Sequence, residues 1–271
     1  MKKKKASLLA EAALLLSLCA ATACTPLGLL RSKPRDNGGI FLLIAVRPDP
    51  NNSAQAVEQT MKVMEGRCDR FGIYCKAERQ GGDAANQFML RVSGANDTER
   101  VKAVLLAEGM ELRPVVSPLY PAPIKSYRTQ AEAESAAGAS NDVLPFVAGD
   151  GPGVFLVVER APVVTGDDVR NAHPLDISLP EHPDSYEITF TLKPEGAVRF
   201  GKWTSGNISR YLAIVLNGQV RTAPFIKSQI TDSGVISGHF NKQQAEDTAL
   251  VLSSGNLPAP IELIQEGTYK P

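Results

Sequence analysis

Few residues in this chain have both the type and the spacing to do chemistry. The densest group is His173, Asp176, Glu181, His182 and Asp184, which offer the nitrogen and oxygen donors that bind divalent cations. Metal binding needs donors held in fixed geometry. Here each histidine precedes a proline in a stretch without periodicity, so His173 to Asp184 reads as irregular, solvated surface with no metal site. Gly149-Asp150-Gly151-Pro152-Gly153 is glycine-rich but lacks the Lys-Ser/Thr and following helix of a phosphate cradle, so it reads as a plain turn. His239 has Ser233 and Ser237 nearby in sequence, but no G-x-S-x-G elbow accompanies them, and it reads as a polar turn residue. Asp167-Asp168 stands in the first turn of a short helix, where the macrodipole accounts for it. No catalytic residue and no cofactor is expected; the chain does not read as an enzyme.

The four cysteines fall in two pairs. Cys19 and Cys24 sit at the end of an N-terminal leader, in which Lys2 to Lys5 precede the apolar stretch Ala12 to Ala23. That stretch is too short for a spanning helix. Ala21-Thr22-Ala23-Cys24 is similar to a bacterial lipobox, which makes Cys24 the expected lipid attachment site; Ala21 departs from the leucine usual there. A plain cleaved signal and an uncleaved anchor are the other two readings. All three export the body, so Cys68 and Cys75 are expected in an oxidising compartment. Their spacing permits a disulfide across a helix-to-strand turn; two separately buried thiols are the alternative.

The composition, 43% hydrophobic and 21% charged, is that of a folded globular protein, and 271 residues allow one or two domains. The 29 Lys and Arg balance 29 Asp and Glu. Without Lys2 to Lys5 and Glu11 the chain carries 25 positive and 28 negative side chains, so nothing draws it to phosphate backbones and nucleic acid is not expected as a partner. Beyond the leader no apolar run is long enough for a membrane span.

The elements that must position any site begin after a Pro-, Arg- and Lys-rich tether. Gly39 to Val46 is a continuous apolar run suited to a buried strand, stopped by Pro48 to Pro50. Asn52 and Gln55 make a capping box for a helix whose Val57, Met61, Met64, Cys68 and Phe71 form one apolar face for core packing. Strands at Tyr74–Arg79 and Gln87–Val92 follow, then a helix capped by Asn96 and Glu99, then a strand from Glu111 to Val116. The order β-α-β-β-α-β is the ferredoxin-like arrangement.

Three prolines between Ser117 and Pro123 mark a boundary. Beyond it Thr129 and Glu132 cap an alanine-rich helix, Ser140 to Gly153 reads as loop, and Val154 to Val158 as a strand. Glu187 to Leu192 alternates as a strand does, and Pro194 opens a helix bearing Ala197, Phe200 and Trp203. Tyr211 to Ala223 is a hairpin around Asn217-Gly218, Val235 to Ser237 a brief strand, and Asn241 with Gln244 caps a helix before a last strand at Ile261–Gln265.

VVERAPVVTGDDVRNA (157–172), ITFTLKPEGAVRFGKWT (188–204), LAIVLNGQVRTAPFI (212–226) and ISGHFNKQQAEDTALVLSSGNLPAPIEL (236–263) resemble the first extracytoplasmic domain of the SecD family. These are membrane subunits of the bacterial protein-export machinery. DNGG (36–39) and MEGRCDRFGI (64–73) are similar to the same family more loosely. The resemblance implies an α+β fold with a ferredoxin-like base and an inserted mixed α/β head. On that division residues 1–23 are a signal peptide and 24–37 a tether. Residues 38–117 with 257–269 form the base, and 118–256 the head. It further implies a head that contacts preprotein emerging outside the membrane and moves relative to the base.

The family's membrane helices, which carry proton coupling, have no counterpart before Pro271. The expectation is therefore a stand-alone, envelope-located protein, anchored outside a bacterial membrane by an N-terminal lipid. Its expected partners are unfolded secretory polypeptide or Sec translocase components. A structural or adaptor lipoprotein binding one folded partner is the alternative. Handling many secreted chains requires backbone pairing at a sheet edge or an adaptable apolar groove. The hairpin Tyr211 to Ala223 and the segment Asp142 to Gly153 are the candidate surfaces, although Leu212, Ile214 and Leu216 read as core.

Overall fold

The computed structural model describes residues 35–47, 53–147 and 153–270. The leader, Cys19, Cys24, Pro48 to Pro50, Asn52 and the Gly149 to Pro152 turn lie outside them. Strand β1 (Gly39–Val46), helix α1 (Ser53–Phe71), β2 (Tyr74–Arg79), β3 (Gln87–Ser93) and α2 (Thr98–Leu105) come first. They are followed by β4 (Met110–Pro114), α3 (Gln130–Ala137), β5 (Asn141–Phe146), β6 (Val154–Glu159), β7 (Val164–Thr165), β8 (Val169–Asp176) and β9 (Tyr186–Leu192). Helix α4 (Pro194–Ser205), β10 (Leu212–Leu216), β11 (Gln219–Thr222), β12 (Ser233–Phe240), α5 (Lys242–Ser253) and β13 (Ile261–Tyr269) complete the chain.

The fold is α+β. The first sheet has the strand order β13-β1-β3-β2, all antiparallel, with α1 and α2 packed on one face. Leu42, Ile44 and Val46 of β1 alternate into that face and meet Val57, Met64, Phe88, Leu90 and Leu105. The apolar stripe of α1 is therefore core, as its spacing requires. DNGG has a local cause. Asp36 accepts the Gly38 N–H and the Tyr269 hydroxyl, tying both ends of the base together. A Cβ on Gly39 would lie 2.1 Å from the Val92 carbonyl oxygen, so only glycine fits.

The fourth strand of this sheet is β13, not Glu111 to Val116 as the order of elements suggested. Strand β4 instead enters a second sheet, β6-β5-β11-β10-β4-β7, antiparallel to β10 and β7, so residues 110–117 leave the base. Strand character alone does not say which sheet a strand joins. Met110 and Leu112 settle it by packing against Ile188, Phe190 and Ile214 in the head.

Strand β10 is buried throughout. Leu212, Ile214 and Leu216 face the core shared with α4 and α5, while Ala213 and Val215 face Leu156 and Val220. A third sheet, β12-β9-β8, packs into the same core as α5.

Three further expectations are corrected. Within the segment Ser140 to Gly153, Asn141–Phe146 is a strand and not loop: β5 pairs with β6 along its whole length and meets β11 at Val220–Phe146 alone. Pro145 is tolerated because only one side of β5 is laddered. His173 to Asp184 is irregular only from Ile177 onward: β8 extends to Asp176, and Pro174 is accommodated because β8 is an edge strand. Helix α2 is capped by Asp97, whose side chain accepts the Arg100 N–H, rather than by Asn96.

Arg67 is a charged residue fully inaccessible on the apolar side of α1. Its Nη1 donates to the carbonyls of Val104, Leu105 and Ala107 at 3.0, 2.9 and 2.6 Å, and its Nη2 to that of Gly255 at 3.2 Å. These acceptors are at or just beyond the C-terminal ends of α2 and α5, where unpaired carbonyls concentrate negative charge. Burial draws the Arg67 pKa down to about 10, which leaves the side chain charged at neutrality. One cation thus joins three helices. Replacing it, as in Arg67→Met, orphans those carbonyls and is expected to destabilise the protein by about 3–5 kcal/mol. A denaturant-unfolding loss below about 1 kcal/mol would remove Arg67 from that role.

Cys68 follows Arg67, and its sulfur is joined to that of Cys75 in β2, with the Cα atoms 5.9 Å apart. The bridge closes the turn at Gly72. So short a loop contributes less than the ~3 kcal/mol of a fifteen-residue one. Reduction of denatured protein is expected to expose two additional thiols; an equal titre before and after reduction would eliminate the bridge.

Candidate functional site: the base–head junction

The head leaves the base through residues 106–109 and returns through 254–260. Asn256 clamps the two crossings. Its Oδ1 accepts the Met110 and Gly166 N–H groups at 2.9 and 3.1 Å, and its Nδ2 donates to the Met110 carbonyl at 3.1 Å. A Cβ on Gly109 would lie 2.0 Å from Asn256 Oδ1, so the close crossing depends on that glycine, which also has φ +122°. Leu257 N–H donates to the Glu108 carbonyl and Asn217 N–H to that of Gly109, which places the β10–β11 turn against the same crossing.

Helices α2 and α5 pack side by side. Val104 and Ala107 touch Val251 beneath a two-pronged ion pair, in which Arg100 Nε and Nη2 donate to Asp247 at 2.9 and 2.7 Å. The Arg100 pKa is raised, chiefly by that hydrogen bond to Asp247. Beside this pair opens a groove of about 370 Å³, with α2 of the base on one wall and α5, Leu216, Arg221 and Phe240 of the head on the other. A second concavity of about 330 Å³ lies across Gly109, lined by Glu108, Glu111, Arg113 and residues 256–260. The Glu111 carboxyl is pushed up by burial, partly offset by Arg113. The two hollows therefore differ in character: mixed apolar and basic in the first, acidic in the second. A concavity of the first kind can take an extended polypeptide segment or a small molecule.

The residues singled out from the sequence go elsewhere. Asp176 accepts the Tyr186 hydroxyl and the Ser178 N–H, and Asp184 accepts the Lys242 N–H. Leu179 and His182 exchange backbone bonds at the tip of the β8–β9 hairpin. Among the described residues no group of three His, Cys, Asp or Glu stands close enough to hold a metal. His239 falls within β12. Asp168 caps Thr165 and pairs with Arg199, and Asp167 accepts the Asn256 N–H, so that carboxylate pair fastens the junction. The hairpin Tyr211 to Ala223 presents no free edge along β10, which lies between β11 and β4.

Three residues escaped the sequence reading: Arg67, Asn256 and Arg221. For Arg67 a signal existed, a charged residue one turn from Met64 on an apolar face.

Residues 141–259 match the family described as the SecDF P1 head subdomain. The chain is 34% identical over 224 residues to protein translocase subunit SecD of Koribacter versatilis, covering 80% of this chain and 39% of that one. It is equally 34% identical over 216 residues to SecD of Aquifex aeolicus, covering 79% and 40%. It spans about two-fifths of the length of these curated relatives. A crystal structure of SecDF in its super-membrane-facing form matches with TM-score 0.63 at 23% identity, over 90% of this chain and 32% of that one. A second SecDF structure, of a membrane component that enhances protein export, matches at 0.61 and 24% identity, over 83% and 98%. Among the described residues no helix is long and apolar enough to cross a membrane. Sequence and fold together make the described chain a SecD-type P1 domain.

Proposed function

We propose that this chain serves protein export from the outer side of a bacterial membrane, binding translocating or newly secreted polypeptide in the junction groove. The observation that carries this is the groove of about 370 Å³ walled by both base and head, within a domain of the SecD type. Its named relatives are protein translocase subunits, and a structural neighbour is described as enhancing protein export. Sec translocase components are accordingly the partners we propose beside the exported chain. A hollow of mixed apolar and polar lining suits a client whose sequence varies, because apolar side chains find contacts there while amides and hydroxyls can meet the client's backbone. The role is one of holding, without bond-making chemistry.

The Cys68–Cys75 bridge fits an oxidising compartment. Cys24 is the proposed point of attachment to the membrane, through a lipid. Mass spectrometry of the mature N-terminus is expected to find a diacylated Cys24, whereas an uncut leader would remove both the lipid and the cleaved signal.

Labelled unfolded secretory polypeptide, titrated into the purified protein, is expected to bind saturably in the micromolar range. Absence of saturation up to high micromolar, in a sample shown to be folded, defeats the proposal. A single stoichiometric folded partner recovered from the envelope, without such binding, would turn the reading to an adaptor.

A further inference from the structure

Buried side-chain atoms without a hydrogen-bond partner are rare among the described residues: Arg67 Nε, Thr191 Oγ1 and Arg221 Nε. The first belongs to a guanidinium already saturated by carbonyls through its other two nitrogens. Arg221 is different. It projects from β11 into the junction groove and makes no hydrogen bond or ion pair with any described residue. Its contact is with Phe240, whose ring centroid lies 5.7 Å from the guanidinium carbon. The other two charged groups of the groove, Arg100 and Asp247, already neutralise each other. The groove therefore carries one uncompensated, half-buried cation.

Arg221 Nε is itself inaccessible, but the two terminal nitrogens are not buried and have no partner among the described residues, and that edge of a planar guanidinium can receive a carboxylate through two parallel hydrogen bonds. The wall is mixed: beside the polar Gln219, Gln243, Gln244 and Thr248 it carries an apolar part, Val104, Leu216, Val251 and Phe240, that a bare anion would leave wet. We propose that the groove selects extended polypeptide segments in which an aspartate or glutamate adjoins a large apolar residue. The carboxylate forks onto Arg221, and the apolar side chain lies against Val104 and Val251. Charge complementarity picks this occupant over a basic one, which would bring like charge beside Arg221. The identity of the occupant rests on the export reading above; the assignment of Arg221 as its anchor goes beyond it.

The test uses three short labelled peptides: alternating leucine and glutamate, its glutamine counterpart and its lysine counterpart. Each is titrated into the purified full-length protein and followed by anisotropy. The glutamate peptide is expected to bind about tenfold more tightly than the glutamine one, and the lysine peptide most weakly. Arg221→Gln is expected to erase the preference, and Arg221→Lys to restore part of it, since lysine keeps the charge but loses the fork. Equal binding of the glutamate and glutamine peptides to the unaltered protein overturns the proposal, and that comparison needs no variant to fold. Displacement of the glutamate peptide by low-millimolar inorganic phosphate also overturns it, because the site would then be a general anion site. If unfolded secretory polypeptide still binds while the peptides show no preference, this inference fails and the export reading stands. If neither binds, both fail.

Discussion

A positive charge buried without a carboxylate is the constraint around which the rest of this structure is arranged. Arg67 leaves water and finds no acid, only the carbonyls of Val104, Leu105, Ala107 and Gly255. Placing a guanidinium in low dielectric is unfavourable unless acceptors converge on it. The ends of α2 and α5 must therefore come to the same point beside α1. Once they do, the exit and return of the head are fixed within a few residues, and Asn256 locks the crossing from the other side. Because the acceptors are backbone carbonyls, no protonation near neutrality weakens this joint. Arg100–Asp247, nearer the surface, depends on two side chains and is more readily screened.

The same topology sets the loop that each strand pairing must close. The base sheet needs β13 beside β1, yet the whole head lies between them in sequence, so that pairing has the longest loop to close. Local units such as the β2–β3 pair and α1 can form early. Pairing of β13 with β1, ended by the Tyr269–Asp36 hydrogen bond, closes the base across the whole head. An insertion of this kind also explains why the hollow lies where it does. Base and head have separate cores, meet at two short crossings, and touch where α2 meets α5. Side chains fill the line of contact at Val104, Ala107 and Val251, and the space beside it stays open.

Much of the fold was legible in the residues. Thr129 with Glu132 and Asn241 with Gln244 form the capping boxes their spacing predicts, and Leu216 opposes Gln219 across the Asn217-Gly218 turn. These signals are local, and local chemistry decides them. What failed depended on partners distant in sequence. Asn141 to Phe146 looks like loop because of its Asn, Asp and Pro, and becomes a strand only because β6 supplies a ladder. Glu111 looks like part of the base because the helix before it belongs there, and Pro174 looks like a breaker until β9 is seen to need it only at an edge. The site was less legible still. Asn256 reads as an ordinary turn residue before Pro258, and its role exists only because Gly109 and Gly166 come within reach.

The residues that looked chemical and the residues that carry the junction differ for a common reason. His173, Asp176, His182 and Asp184 are scattered along a hairpin tip, where each finds a backbone or hydroxyl partner and none converges with another. Convergence arises instead where two chain crossings are forced together, and there the sequence supplies Arg, Asn and Gly rather than His or Cys. Arg, Asn and Gly at the crossing hold backbone and present one cation to a groove, with Asp167 and Asp168 fastening the turn beside them. What the junction groove can retain follows from its wall: apolar side chains against Val104 and Val251, and a carboxylate on the terminal nitrogens of Arg221.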